Sequence, residues 1–118
     1  YDAEAAEAWY EGMPLVILVD GLSASASEVF AAALQEHRAA VVVGSESYGK
    51  GVVQEVRTMP GEGAVKLTTA YYYTPAHRNL ERTVEDAWDV GLHPDLEVEL
   101  DELETRALHQ RLAGYGPP

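Results

Sequence analysis

Residues 14–45 read PLVILVDGLSASASEVFAAALQEHRAAVVVGS, and the order of patterns within them decides the fold. PLVILVD, residues 14–20, is an unbroken apolar run of strand length, the pattern of a strand covered on both faces. In SEVFAAALQEH, Val29, Phe30, Ala33 and Leu34 recur at the spacing of one helical face. AAVVVGS, residues 39–45, is a second buried-strand pattern. A helix between two apolar strands predicts a parallel pair with a right-handed crossover. The expected elements are strands at about 14–20 and 39–45, adjacent, with a helix over about 25–37 packed across them.

Outward from this unit, GVVQEVRTM (51–59) and GAVKLTTAYYYTP (63–75) are rich in β-branched and aromatic residues. The GEG between them predicts a hairpin turn, and the hairpin over 51–74 is expected to extend the same fold. AHRNLERTVEDAWDVGLHPD (76–95) reads as a loop with a short strand or turn, and residues 78–92 follow no assignable pattern. DELETRALHQRLAGYGPP predicts a closing helix with Gly114 near its C-terminus. YDAEAAEAWYEG, at the start, reads as a short helix or a trimmed loop. The class is α/β.

Composition narrows the function. The 118 residues, 47% hydrophobic and 24% charged, suit one globular domain or part of one. Twenty acidic residues against 8 basic ones give a net charge of −12, a solubilising surface that argues against a nucleic-acid partner. The chain has no cysteine, so disulfides and thiolate metal sites are excluded. Its four histidines have no metal-site spacing, and neither a metal nor a cofactor is expected. No apolar run approaches the ~18 residues of a membrane helix. The chain opens on Tyr1, which reads as an excised piece.

GSESYGKG, residues 44–51, fits the phosphate loop G-x-x-x-x-G-K-[ST] except at its last place, where Gly51 stands for Ser or Thr. Such a loop works by aiming the N-terminus of the following helix at phosphate. Val52, Val53 and Val56 predict a strand there instead, and the magnesium-binding hydroxyl is missing. A nucleotide-binding reading therefore needs a helix over 51–59. Upstream, GLSASASE (21–28) lies between a strand and a helix, where a serine meets the free N–H groups of a helix start. Two other readings compete at this place. Ser25-Ala26-Ser27-Glu28 matches the S-x-x-E capping box, in which Ser25 merely caps the helix. Gly21-Leu22-Ser23-Ala24-Ser25 nearly matches the elbow G-x-S-x-G, with Asp86 and His93 in the right chain order. It lacks the final glycine, and a hydrolase sheet of that kind needs more chain.

Taken together, LVILVDGLSASASEVFAAALQ, VVVGSESYGKGVVQ, KLTTAYYYTP and LHPDLEV closely resemble the C-terminal-processing (tail-specific) serine proteases, in order from about Pro14 to Val98. The resemblance implies Ser25 as nucleophile, Lys50 as general base, Gln54 as the residue that positions the lysine, and the Ala26 N–H as an oxyanion donor. It implies a Clp-protease/crotonase-like α/β core, of which residues 1–118 are the C-terminal part. The upstream half, with a second oxyanion donor, and a PDZ domain would lie elsewhere. It further implies cleavage of proteins near exposed, unstructured C-termini, in the periplasm or another extracytoplasmic compartment. Oligomeric state stays open, a homo-oligomer included. A non-catalytic peptide- or ligand-binding relative on the same fold is the alternative, against which the presence of both Ser25 and Lys50 counts.

The residue types suit this chemistry. A serine hydroxyl is a weak nucleophile until a base removes its proton, and lysine does so only when neutral. Its pKa would have to fall from about 10.4 toward ~7–8, as desolvation among neighbours such as Val43, Val52 and Val53 favours. Glycines on both sides of Lys50 permit unusual backbone angles and close approach. Gln54 poses a geometric question, because residues four apart on a straight strand are ~13 Å apart. It reaches Lys50 only if the chain bends at residues 49–51.

Overall fold

The protein is described here by a computed structural model covering residues 12–61, 63–82 and 90–114. Strand β1 (Val16–Val19), helix α1 (Ala26–Glu36) and strand β2 (Val41–Gly44) form the expected β-α-β unit. β1 and β2 are parallel, in register from Val16 opposite Val41 to Val19 opposite Gly44. Hydrogen bonds from the Val41 N–H to the Leu15 carbonyl (3.0 Å) and from the Ser45 N–H to the Val19 carbonyl (3.1 Å) carry the ladder one step further at each end. Glycine is required at position 44. Its φ is +134°, and a Cβ there would lie 1.9 Å from the Val19 carbonyl oxygen.

α1 packs on one face of this pair. Val19 and Val42 meet Ala31 and Ala32, with Leu80 and Leu92 completing the core and Ile17 and Val29 at its edge. The inward stripe of the helix is Glu28, Ala31 and Ala32, not the Phe30-centred face that hydrophobicity predicts. Phe30 is 62% exposed. The stripe begins with a buried glutamate, which a search for apolar periodicity skips. β1 also differs from expectation. Val16 and Leu18 alternate with the core residues and are exposed, so among the described residues the strand is covered on one face only.

Strands β3 (Val52–Met59) and β4 (Gly63–Tyr71) pair antiparallel, with an irregularity between Val53 and Gln54. The hairpin lies where predicted but is a sheet of its own rather than a continuation of the parallel one. It leaves the core at Val52, which is buried, and the rest of both strands is mainly solvent-exposed. Because residues 52–59 are a strand, no helix N-terminus follows the glycine-lysine loop, and the phosphate-loop reading loses its physical basis. Strand β5 (Leu96–Glu97) adds to β2 in parallel, giving the order β1-β2-β5. Asp95 holds that join, its carboxylate accepting the Val42 N–H at 2.8 Å.

Helix α2 (Glu102–Ala113) starts at Asp101, whose carboxylate accepts the N–H groups of Leu103 and Glu104 at 2.8 Å. Gly114 ends it as predicted. No residue of α2 is buried, and its side-chain tie to the sheet is His109 against the Asp20 carboxylate at 3.1 Å. No described helix is long and apolar enough to cross a membrane. Residues 1–11 of the opening segment read as a helix or loop lie outside the described residues, as do Asp86 and residues 83–89 of the unassigned stretch 78–92.

Candidate active site

Two turns meet at the C-terminal end of β1 and β2. The first, residues 20–25, is built by Asp20. One of its carboxylate oxygens accepts the N–H groups of Leu22 and Ser23 at 3.0 Å and the Ser23 hydroxyl at 3.1 Å. Burial alone would raise the Asp20 pKa. The bonds from His109, Leu22 and Ser23 outweigh it and hold the carboxyl below its ordinary value. Ser23 is thus engaged in the turn, which leaves little for the elbow reading centred on it.

Ser25 ends this turn at the N-cap of α1, with φ 60° and ψ −120°. A non-glycine residue rarely adopts this combination, and it is strained. The turn carries the chain from the strand into the helix, with Ser25 at its helix end. Of the capping box, the Glu28 half is formed, while the Ser25 side chain makes no cap hydrogen bond. The Ser25 N–H donates to Glu28 Oε2 at 2.7 Å, and the N–H groups of Glu28 and Val29 reach the Ser25 carbonyl at 3.0 and 3.1 Å. These bonds are made by backbone and carboxylate. Ala26 opens the helix, where a first-turn N–H has no acceptor inside the helix.

The second turn, residues 44–51, carries Lys50 and is pinned on both sides. Gly49 has φ +81°, its N–H donates to Glu28 Oε1 at 2.6 Å, and its carbonyl accepts the Arg82 N–H at 2.9 Å. At Gly51 a Cβ would stand 2.5 Å from the Glu81 nitrogen and 2.8 Å from Asn79 Oδ1. The glycines therefore serve the two purposes anticipated for them, one a left-handed φ and the other a close approach. The Lys50 N–H donates to Glu28 Oε2 at 2.9 Å, the same oxygen that holds Ser25. The two backbones are joined through one atom.

Lys50 is half-buried and lines an open cleft of about 980 Å³ with Leu22, Ala24, Val52, Gln54 and Lys66. Arg82 closes one side, donating to Glu46 at 2.7 Å and to the Tyr48 carbonyl at 3.0 Å. The structure brings Ser25 and Lys50 together through their main chains. Between their side chains no hydrogen bond is formed. Gln54 shares the cleft with Lys50, but its amide nitrogen donates to Thr68 Oγ1 at 3.3 Å and not to the lysine. Gly49 has a left-handed φ and the β3–β4 register shifts between Val53 and Gln54, yet no hydrogen bond joins Gln54 to Lys50. Among the described residues no cluster of His, Asp and Glu could hold a metal ion.

Sequence reasoning missed Glu28, Ser47 and Arg82. Glu28 is fully buried and accepts four hydrogen bonds, from Ser25, Ser47, Gly49 and Lys50. Only its capping-box position signalled it. Ser47 is buried as well, donating to Glu28 while accepting the Leu92 N–H at 2.8 Å.

The model of peptidase family S41 matches residues 1–98. A carboxy-terminal-processing protease of Bartonella bacilliformis is 41% identical over 102 residues, covering 86% of this chain and 20% of that protein. The chloroplastic carboxyl-terminal-processing peptidase 2 of Arabidopsis thaliana is 37% identical over 95 residues, covering 80% of this chain and 17% of its own length. The solved photosystem II D1 C-terminal processing protease superposes with a TM-score of 0.64 at 34% identity, covering 75% of this chain and 21% of that one. The chain thus spans about a fifth of the length of these relatives. With the S41 model matching most of its residues, the chain belongs to peptidase family S41, together with the C-terminal-processing serine proteases.

Proposed function

We propose that this chain carries the nucleophile and the base of a Ser/Lys endopeptidase that cleaves proteins near unstructured C-terminal tails. One observation carries the reading. Ser25 is held in a strained conformation at a helix N-terminus, and its main chain shares a single carboxylate oxygen with that of Lys50. Strain that surrounding structure maintains is characteristic of active sites.

In this mechanism the neutral Lys50 amine takes the proton of the Ser25 hydroxyl as Oγ attacks the scissile carbonyl carbon. The developing oxyanion is stabilised by the Ala26 N–H, with the positive end of α1 behind it. The resulting ammonium then gives its proton to the departing amine, leaving an acyl-serine. Lys50, again neutral, deprotonates the water that attacks this ester and returns the proton to Ser25 Oγ as the acid leaves. Gln54 offers the lysine an uncharged amide oxygen, which orients the amine without adding the negative charge that would keep it protonated. The substrates are proteins and peptides with exposed C-termini. The relatives include bacterial and chloroplastic processing proteases, and we place the protein in an extracytoplasmic compartment on that basis.

The test uses the protein expressed from its complete reading frame. A fluorophosphonate should label Ser25, and Ser25→Ala should abolish labelling and peptide cleavage. Lys50→Arg should be as inactive as Lys50→Ala, because arginine keeps the charge but does not lose a proton in a protein. Robust cleavage by Lys50→Arg, with its fold retained, would remove the lysine from the base role.

A further inference from the structure

We infer that Glu28 is the positioning residue of this site, the group that sets Ser25 and Lys50 at working distance. The inference rests on the Ser/Lys reading above and extends it to a residue that touches no reacting atom.

Glu28 is a charged side chain with no solvent exposure, on the inward stripe of α1 where an apolar residue is expected. Burial of a carboxylate is unfavourable unless its oxygens are fully hydrogen-bonded. Here each oxygen accepts two bonds. Oε1 takes the Ser47 hydroxyl and the Gly49 N–H at 2.6 Å. Oε2 takes the Ser25 N–H at 2.7 Å and the Lys50 N–H at 2.9 Å. One donor belongs to the first turn and three to the second, so the carboxylate is a clamp between them. An ordinary capping box would engage only the Ser25 N–H. The other three bonds fix the loop that carries the base.

The arrangement also accounts for two unusual backbone states. Ser25 at φ 60° and Gly49 at φ +81° each direct an N–H inward, and both N–H groups end on Glu28. Bonds to an ionised carboxylate are roughly twice as strong as neutral ones, enough to hold such conformations. Displacement of a reacting group by about 1 Å lowers rates on the order of 10²-fold. Loss of the clamp should therefore act on turnover, not on substrate binding.

The experiment compares Glu28→Ala, Glu28→Gln and a core control, Val42→Ala, with wild type in the full reading frame. The control residue is a fully buried residue of β2 and does not line the cleft. Each protein is assayed for kcat, KM, rate of fluorophosphonate labelling and thermal midpoint, at a temperature where circular dichroism shows it folded. Glu28→Ala should lower kcat about 100-fold or more, with KM within about threefold and labelling slowed in parallel. Glu28→Gln keeps one oxygen for Ser25 and Lys50 but turns an NH2 group toward the Gly49 N–H. It should recover about tenfold of that loss. Val42→Ala should lower the midpoint and leave kcat near wild type. If Glu28→Ala does not fold, Glu28→Gln decides by the same kcat criterion. A folded Glu28→Gln with kcat within threefold of wild type overturns the inference, as does a kcat loss matched by Val42→Ala. Should Ser25→Ala or Lys50→Ala remain active, the Ser/Lys reading itself falls. If both are dead while Glu28→Gln is fully active, only the positioning role is refuted.

Discussion

The backbone at Ser25 makes a measurable prediction about stability that is separate from activity. A side chain at φ 60°, ψ −120° sits in a sparsely populated region, at a cost of about 1–3 kcal/mol. Ser25→Ala removes the hydroxyl and keeps this strain, because Ala retains the Cβ that causes it. Ser25→Gly removes hydroxyl and strain together, at a loss of roughly 0.5–1 kcal/mol from the greater freedom of the unfolded chain. The difference between the two variants isolates the backbone term. Ser25→Gly should be more stable than Ser25→Ala by about 1 kcal/mol, equivalent to ~4 °C in Tm for a domain near this size. Urea unfolding followed by circular dichroism measures it, with m-values compared to establish that both unfold alike. Both variants should be inactive as peptidases. A Ser25→Gly protein equal to or less stable than Ser25→Ala would refute the claim that the surrounding structure maintains strain at this residue.

Two further outcomes are expected from the scaffold. Gly44→Ala would place a Cβ 1.9 Å from the Val19 carbonyl oxygen at φ +134°, and should destabilise by more than about 3 kcal/mol in the same urea assay. A loss below about 1 kcal/mol would contradict the close approach of β1 and β2. At Glu36, burial raises the pKa, but bonds from the Ala76 N–H, the Thr74 hydroxyl and Arg78 outweigh it and hold it below its ordinary 4.5. A depressed folded pKa contributes stability above the unfolded value and loses it as pH falls through the folded one. The stability gap between wild type and Glu36→Gln should thus be widest near neutral pH and close on acidification below 4.5. A gap independent of pH would contradict the network.

The β-α-β unit was legible because its two strands are apolar runs of strand length and its helix has a cap at one end. The hairpin was legible from Val52, Val53, Val56 and the glycines of its turn. β5 was not, since two residues are too few for any period to register. The inward face of α1 was misread at Phe30 because the stripe is organised around a buried glutamate. Ser25 and Lys50 were singled out by resemblance, through segments each modest alone and specific as a pair. What brings them together was hidden. The partners of Glu28 beyond its own turn, Ser47, Gly49 and Lys50, follow it by 19 to 22 residues, and local sequence rules do not reach so far.

The separation of tasks among these residues explains why the site tolerates being built on turns. Binding and catalytic groups placed on loops need a rigid support. Asp20 holds the first turn through Leu22 and Ser23, and Arg82 and Glu81 hold the flanks of the second. Each of these anchors acts within one turn or from outside the pair; between the turns the Tyr48 N–H donates to the Ser23 carbonyl at 2.9 Å, a link that engages neither Ser25 nor Lys50. Glu28 bonds to both, and it projects from a helix whose next inward residues are the fully buried Ala31 and Ala32. Small residues there bring the helix close to the sheet and leave its carboxylate little room to move. The rigidity of the core is thereby transmitted to the main chains of Ser25 and Lys50 through this side chain, beside the Tyr48–Ser23 link. For that reason the geometry of the proposed dyad should respond to Glu28 more sharply than to any single contact within either turn.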